Sequence, residues 1–267
     1  MDCSRTNLPQ ITYDCADIET SAETRAAILA AVRGYGICVV ANYFAPQTCD
    51  RLVNVIEKTC RDTPDIVSQR SDLRIFGADA LDMDIDAFRN DAFLEELGTD
   101  VVGKTQRCIF TMANKLETRD GQPKRSGGDW HRDRLAPQFK AMVYLSDVGV
   151  DNGPFSFYPG SNRTWPYGKY CAETGFDFFA NRWRMEEFSD FAKAAAEHQL
   201  IVTAPKGSMV IFESSNIHSG LPIVGGQRYA ITNYYYAEDE IDVKRMARKF
   251  TPIARPITMP DFSPRAA

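Results

Sequence analysis

At 267 residues the chain is long enough to bury one sizeable core without disulfide or metal staples. Its formal net charge of −5 lacks the basic footprint that non-specific nucleic-acid binding needs, and no run of residues approaches the apolar length of a membrane span. The opening Met1-Asp2-Cys3-Ser4-Arg5 does not have the charged-then-apolar layout of a secretory signal, so a cytoplasmic protein with neither nucleic acid nor membrane as partner is expected.

Residues 21–33 have a helical composition with Ser21 as N-cap. Gly34-Tyr35-Gly36 ends that helix, and Ile37-Cys38-Val39-Val40 reads as a buried strand. Phe44-Ala45-Pro46 leads into a second helix over about 47–60, with Leu52, Val53, Val55 and Ile56 on its apolar side. Residues 61–100 are mixed and acidic and read as loop with short helices. From about 101 the texture changes to short β-rich runs: 107–113, 139–146, 154–158, 200–203, 208–213 and 228–236. Turn residues separate them, among them Asp151-Asn152-Gly153-Pro154 and Val224-Gly225-Gly226-Gln227. Residues 162–198 interrupt the series with a helical, aromatic and charged insertion. The Pro-rich end, about 250–267, reads as an extended tail.

Many short strands with Gly/Pro turns predict a mainly β fold, a sandwich or barrel with the N-terminal helices packed on one outer face. One domain over 1–267 is expected: a helical part to about 100, a β core over 101–236 and the tail. Cys3, Cys15, Cys38, Cys49, Cys60, Cys108 and Cys171 are scattered, odd in number and form no C-x-x-C pair. They read as reduced thiols packed as small apolar side chains.

Chemistry concentrates at Trp130-His131-Arg132-Asp133 and at His218 with Arg228. On a strand of period two, His131 and Asp133 project to one side. His218 follows directly on the apolar run 208–213 and supplies a third donor from another strand. Two imidazoles and one carboxylate suit Fe(II) with open coordination positions better than a structural zinc. Arg228, past the Gly225-Gly226 turn, opens the next strand, and a hairpin there would fold it back beside His218. A buried guanidinium fork suits the far carboxylate of a 2-oxoacid chelating that metal. The remaining histidine, His198, lies near a helix end and reads as solvated.

These segments resemble the phytanoyl-CoA dioxygenase-like family of Fe(II)/2-oxoglutarate oxygenases. The H-x-D at His131 and Asp133 matches, as do the run Met142 to Phe155 with its Asn152-Gly153-Pro154, the Pro159-Gly160-Ser161 motif, and the distal histidine with its following arginine. Gly36 to Val40 and Phe44-Ala45-Pro46-Gln47 are similar to the family's opening. The resemblance implies a double-stranded β-helix, the jelly-roll or cupin-like core. It further implies iron held by His131, Asp133 and His218, with 2-oxoglutarate gripped by Arg228. The implied reaction consumes O2, releases succinate and CO2, and hydroxylates an unactivated C–H bond of a small molecule such as an amino acid, a natural-product intermediate or an acyl derivative. Related halogenases replace the carboxylate by a small residue; Asp133 therefore favours hydroxylation over halogenation, with desaturation and ring formation open to the same centre.

Three departures stand out. The histidine-to-arginine spacing is one residue shorter than in the family. Ala230 occupies the place of a small hydroxyl residue two after the arginine, leaving Ser219 or Thr232 as substitutes, and Met142 stands where a tryptophan is common. By strand parity Lys140, Met142 and Tyr144 share a face. Lys140 then either contacts a carboxylate of co-substrate or substrate or snorkels to the surface. Asn114 resembles a polar co-substrate contact. In the insertion, Arg163, Trp165, Tyr167, Arg182, Trp183 and Arg184 either form a lid over an anionic substrate group or pack as an amphipathic face, and the Asp-rich region 78–91 is a candidate for the opposite wall. Two other classes fit the same residues: a cupin-like metal dioxygenase without 2-oxoglutarate, and a non-catalytic jelly-roll binding protein.

Overall fold

The computed structural model describes residues 11–118, 124–165 and 167–259. The opening five residues, with Cys3, and the end of the tail (260–267) lie outside them. Strand β1 (Thr12–Asp14) leads through α1 (Cys15–Thr20) to α2 (Ala22–Tyr35). The Ser21 hydroxyl accepts the Thr24 N–H at 3.1 Å to cap α2, and Gly36 at φ +80° ends it, a backbone angle open to glycine. Strand β2 (Ile37–Ala41) follows, then α3 (Pro46–Asp62), which starts on a proline as first turns tolerate.

Next come β3 (Ser68–Gln69), β4 (Leu73–Phe76), α4 (Met83–Arg89), α5 (Ala92–Val102) and the long β5 (Gln106–Glu117). After β6 (Phe139–Tyr144) and β7 (Phe155–Phe157), the insertion contributes α6 (Gly168–Thr174) and α7 (Met185–Ala194). Strands β8 (Leu200–Val202), β9 (Met209–Glu213), β10 (His218–Gly220) and β11 (Gln227–Ala237) precede α8 (Val243–Lys249). Among the described residues no helix is long and apolar enough to cross a membrane.

The strands form two sheets, an eight-stranded one in the order β1-β2-β9-β6-β11-β5-β4-β3 and a three-stranded one in the order β10-β7-β8. Apart from the β1–β2 pair the named pairings are antiparallel, and the two sheets give the jelly roll expected. Register decides which residue faces what. Ile231, Val143, Ala141, Ile211 and Ala113 turn to the outer side of the large sheet and pack with Ile28, Val32, Leu52, Ile56, Phe88 and Leu94 from the helices. Each of the larger side chains, the valines, leucines, isoleucines and Phe88, contributes about 1.5–3 kcal/mol by leaving water. The alternate residues turn inward: Thr232 pairs with Met112 on one side and Met142 on the other, and Tyr234 pairs with Phe110 and Lys140.

The N-terminal hundred residues are less purely helical than expected. Besides the expected β2 they supply β1 beside it at one edge of the large sheet, and β3 and β4 at the other. Strand β4 is four residues long and carries Arg74 at its centre, so it does not stand out from the mixed, acidic sequence around it. Its alternation is nonetheless regular: Ile75 packs into the outer core, while Arg74 and Phe76 face the interior with Asn114 and Met112 as partners. The tail does run extended where it is described, but it is docked. The Ala254 N–H donates to the Phe76 carbonyl at 2.7 Å, and Phe250 and Ile257 are buried.

Candidate metal centre

The site is assembled by one backbone pairing. His131 and His218 face each other across an antiparallel bridge and exchange both N–H···O=C bonds, at 3.0 and 2.8 Å. The strand expected to run through Asp133 is not formed. His131 alone makes bridge pairings there, and Asp133 follows in a bend whose N–H donates to the Ser214 carbonyl at 3.0 Å. The bend still delivers the carboxylate to the histidines: ligand atoms of His131, Asp133 and His218 all lie within 4.8 Å of one another. Each histidine Nδ1 sits 2.8 Å from a backbone carbonyl, of Asp129 for His131 and of Asn216 for His218. A carbonyl only accepts, so Nδ1 carries the proton and Nε2 is left with its lone pair free.

Electrostatics suit a cation at this point. Burial pushes His218 down to about 3, with His131 beside it acting in the same direction, and burial also lowers His131. Both imidazoles are therefore neutral near pH 7. Burial works to raise the Asp133 carboxyl, but the Lys140 ammonium and then the two histidines hold it well below the usual carboxylate range. Lys140 Nζ donates to Asp133 Oδ2 at 2.5 Å, while Oδ1 lies 4.0 Å from His131 Nε2. One carboxylate oxygen is thus held by the lysine and the other turns to the histidines. This donor set, two neutral nitrogens and one ionised oxygen, fits Fe(II) with a free face.

A cavity of about 380 Å³ opens on the triad. Arg228 lines it, is 3 % exposed, and donates from one Nη to the Gly153 carbonyl, while its Nε has no partner. No carboxylate pairs with it among the described residues. The route by which it arrives differs from the expected hairpin. Strand β11 pairs with β5 and β6, and β10 pairs with β7 in the other sheet, so Arg228 and His218 come from facing sheets.

Asn114, Lys140 and Thr232 line the same cavity. Asn114 Nδ2 donates to the buried Asp72 carboxylate at 3.2 Å, a group that also accepts from Ser126 and binds Arg74 Nε at 2.7 Å. Lys140 does not snorkel; it is buried with its ammonium on Asp133. Ser219 does not line the cavity. It lies one residue along β10 from His218, so parity turns it away, and its hydroxyl donates to the Gly128 and Gly220 carbonyls. Of the two hydroxyls considered for the Ala230 vacancy, Thr232 is the one on the cavity side.

The insertion behaves as both expected forms in part. Tyr167, Trp183, Phe188 and Phe191 form an aromatic core with Trp130 and Tyr158, while Trp165 is 84 % exposed. Arg182 alone of the six named insertion residues lines the cavity; Arg184 pairs with Glu187, and Arg163 donates to the Arg33 carbonyl. The Asp-rich region 78–91 is not the opposite wall. Asp79 is buried on Arg89 and Arg255, and Ile85 and Phe88 belong to the outer core. That wall is built instead by Arg70, Arg74 and Phe76 with Lys249 and Phe250. The sequence carried one signal for it, the alternation Leu73-Arg74-Ile75-Phe76; α8 and Lys249 left none.

A profile described as phytanoyl-CoA dioxygenase matches residues 32–230. No curated protein matches the sequence at a significant level. Among solved structures, the non-haem α-ketoglutarate-dependent epimerase SnoN from nogalamycin biosynthesis is similar at 14 % identity and a TM-score of 0.60, over 82 % of this chain and 84 % of that one. HygX from Streptomyces hygroscopicus, with nickel and 2-oxoglutarate bound, aligns at 14 % identity and 0.59, over 81 % and 87 %. EctD from S. alaskensis, with 2-oxoglutarate and 5-hydroxyectoine, aligns at 18 % and 0.58, over 82 % and 77 %. At these identities the likeness establishes a shared fold.

Proposed function

The chain belongs to the phytanoyl-CoA dioxygenase family of Fe(II)/2-oxoglutarate oxygenases, and from that premise we propose that it hydroxylates an unactivated C–H bond of a small molecule, releasing succinate and CO2. His131, Asp133 and His218 hold the iron, and Arg228 grips the distal carboxylate of 2-oxoglutarate. One observation carries the reading: a triad of ligand atoms within 4.8 Å of one another shares a cavity with a buried arginine that has no carboxylate partner.

When bound, Fe(II) with 2-oxoglutarate and O2 supplies the oxidising power and the oxygen atom. The chain's own residues supply position. The two imidazoles present deprotonated Nε2 atoms because their Nδ1 protons are committed to carbonyls. Lys140 keeps Asp133 ionised and occupies one of its oxygens, leaving the other for the metal. Arg228 offers a two-pronged donor from a buried position, where a charge-assisted pair is stronger than in bulk water. Thr232, Asn114 and Met142 line the same cavity as the triad and Arg228. Phe155 and Phe212, whose rings lie 4.7 Å from each other and 5.5–5.8 Å from the His218 ring, pack against that imidazole and give it an apolar backing.

We read residues 1–267 as one domain of this class; strands from near both ends, β1 and β11, belong to the same sheet. The test is an anaerobic titration with Fe(II) and then 2-oxoglutarate in wild type and His218→Ala. A visible metal-to-ligand charge-transfer band in wild type alone supports the reading. Iron bound without a band points to a cupin-like dioxygenase that does not use 2-oxoglutarate, and no iron at all to a binding protein. Once a substrate is found, a product heavier by one oxygen from O2 supports hydroxylation; unchanged mass would move the assignment to epimerisation, the activity of SnoN.

A further inference from the structure

The ionic side chains around the cavity are strongly one-sided. Asp133 is the only carboxylate lining it among the described residues, against five arginines and two lysines. Three of those cations are already assigned: Arg74 is paired with Asp72, Lys140 with Asp133, and Arg228 with the co-substrate. Four remain, Arg70, Arg132, Arg182 and Lys249, and none has a carboxylate partner among the described residues.

Their placement is directional. Arg70 lies over the Phe76 ring at 5.8 Å and Lys249 over the Phe250 ring at 5.0 Å, and the two rings are 5.4 Å apart. These two cations therefore stand on one wall, joined by an aromatic pair. Arg182 stands on the other wall, bridged through its backbone to His131 and donating to the Gly127 carbonyl at 3.4 Å. Arg70, Arg182 and Lys249 are exposed at the mouth. Behind Arg182, Arg132 is 2 % exposed, stacked over Phe178 at 4.7 Å, with Nε and Nη2 unpartnered.

Unpaired cations facing one another across a cavity repel, and Arg132, buried without a counter-charge, adds to the demand for an anion that completes the set. Loading the site does not supply that anion. Iron and Asp133, 2-oxoglutarate and Arg228 leave no negative surplus for the four. From this surplus we infer that the substrate is an oxyanion, a carboxylate or phosphate held between Arg70 and Lys249 on one side and Arg182 on the other, with its carbon skeleton on the Phe76–Phe250 rings and the reacting C–H toward the triad. The inference rests on the oxygenase reading for the direction of the C–H bond, and on the mouth alone for the charge.

The test uses charge-matched probes: benzoate against benzamide, and phenyl phosphate against benzyl alcohol. Binding is measured by calorimetry on the metal-free protein at low ionic strength, and again by perturbation of the charge-transfer band in the Fe(II)- and 2-oxoglutarate-loaded protein. The anion of at least one pair is expected to bind more tightly than its neutral partner by about tenfold or more, to weaken with added salt, and to lose that preference in Arg70→Gln/Arg182→Gln/Lys249→Gln. The better of the two pairs separates a carboxylate from a phosphate substrate. Equal binding of charged and neutral members in wild type, or a preference that survives in the triple variant, would overturn the proposal. A missing charge-transfer band would instead count against the oxygenase reading, because the calorimetric preference is read without metal.

Discussion

His131 and His218 donate their backbone N–H groups to each other's carbonyls, which sets their rings 4.4 Å apart between centroids before any metal arrives. Residues opposed in this way exchange both of their backbone hydrogen bonds, so their side chains leave the pair on the same face. The backbone thus sets all three residues, and side-chain contacts orient them: each histidine Nδ1 on a carbonyl, and Asp133 on Lys140. Asp133→Ala removes the sole charged donor and leaves Lys140 without its partner. We expect loss of measurable Fe(II) binding by anaerobic equilibrium dialysis, in a protein whose far-UV spectrum is unchanged.

Arg228→Ala should separate the metal from the co-substrate. The side chain is not a ligand, so iron affinity is expected to stay within a fewfold of wild type. The 2-oxoglutarate dissociation constant, read from the charge-transfer band, should rise by roughly 30- to 1000-fold, the loss of about 2–4 kcal/mol for a desolvated charge pair. Equal loss of iron in this variant and in Asp133→Ala would contradict the division of roles.

The buried histidines make the metal-free fold acid-sensitive in a defined window. His218 is held near 3 in the folded protein and returns to about 6.5 when unfolded. Between those values the unfolded chain binds a proton that the folded chain does not. Stability therefore falls as pH drops from about 6.5 toward 3, by up to about 1.4 kcal/mol per pH unit for one such group. Asp133, with its folded value depressed, acts in the same direction only below about 4. Urea midpoints from pH 7 to pH 4 should decline in metal-free wild type and decline less steeply in His218→Asn.

Much of the architecture was legible because the relevant signals are local. Strands such as Met209–Glu213 and Gln227–Ala237 are apolar runs bounded by turn residues, and His131, Asp133, His218 and Arg228 each sit in a recognisable motif. What was not legible depends on pairing between distant segments. Nothing near Arg228 says that β11 joins the sheet opposite His218, so the expected hairpin failed although the residue did reach the cavity. Arg70 and Lys249 are nearly 180 positions apart, and only the docking of the C-terminal segment on β4 brings their walls together. Ser219 is excluded only once β10 is known, because parity one step from His218 then turns it away from the cavity.

Gly207 offers a stability test away from the metal. It has φ +86°, and an added Cβ would lie 2.1 Å from the Phe44 carbonyl oxygen, which is backbone and cannot swing aside. The same residue donates to the Tyr144 carbonyl at 2.8 Å and accepts from Phe44 at 3.1 Å, tying the start of β9 to β6 and to the segment before α3. Gly207→Ala should cost ~3 kcal/mol or more, from strain and clash together. Chemical denaturation is the measurement. Gly225→Ala, where a Cβ meets nothing within 4 Å and φ is ordinary, is the matched control and should shift the midpoint little.

Lys140 is the residue whose role changes most between sequence and structure, and it gives the most discriminating variant. Its ammonium holds one oxygen of Asp133 at 2.5 Å and lies 4.5 Å from the Tyr234 ring centroid, buried on the inner face of β6. In Lys140→Met the volume is kept and the carboxylate keeps its ligand oxygen, but the second oxygen is released to rotate. Outer partners of ligating groups typically contribute about 10- to 100-fold to metal affinity, and a loss of that size is expected in Fe(II) titrations. Lys140→Arg, still cationic, should recover part of it. If Lys140 met 2-oxoglutarate directly, as strand parity alone allowed, Lys140→Met would instead weaken the co-substrate and leave iron affinity unchanged. Iron affinity and 2-oxoglutarate affinity measured in the same variant therefore decide which carboxylate the lysine serves.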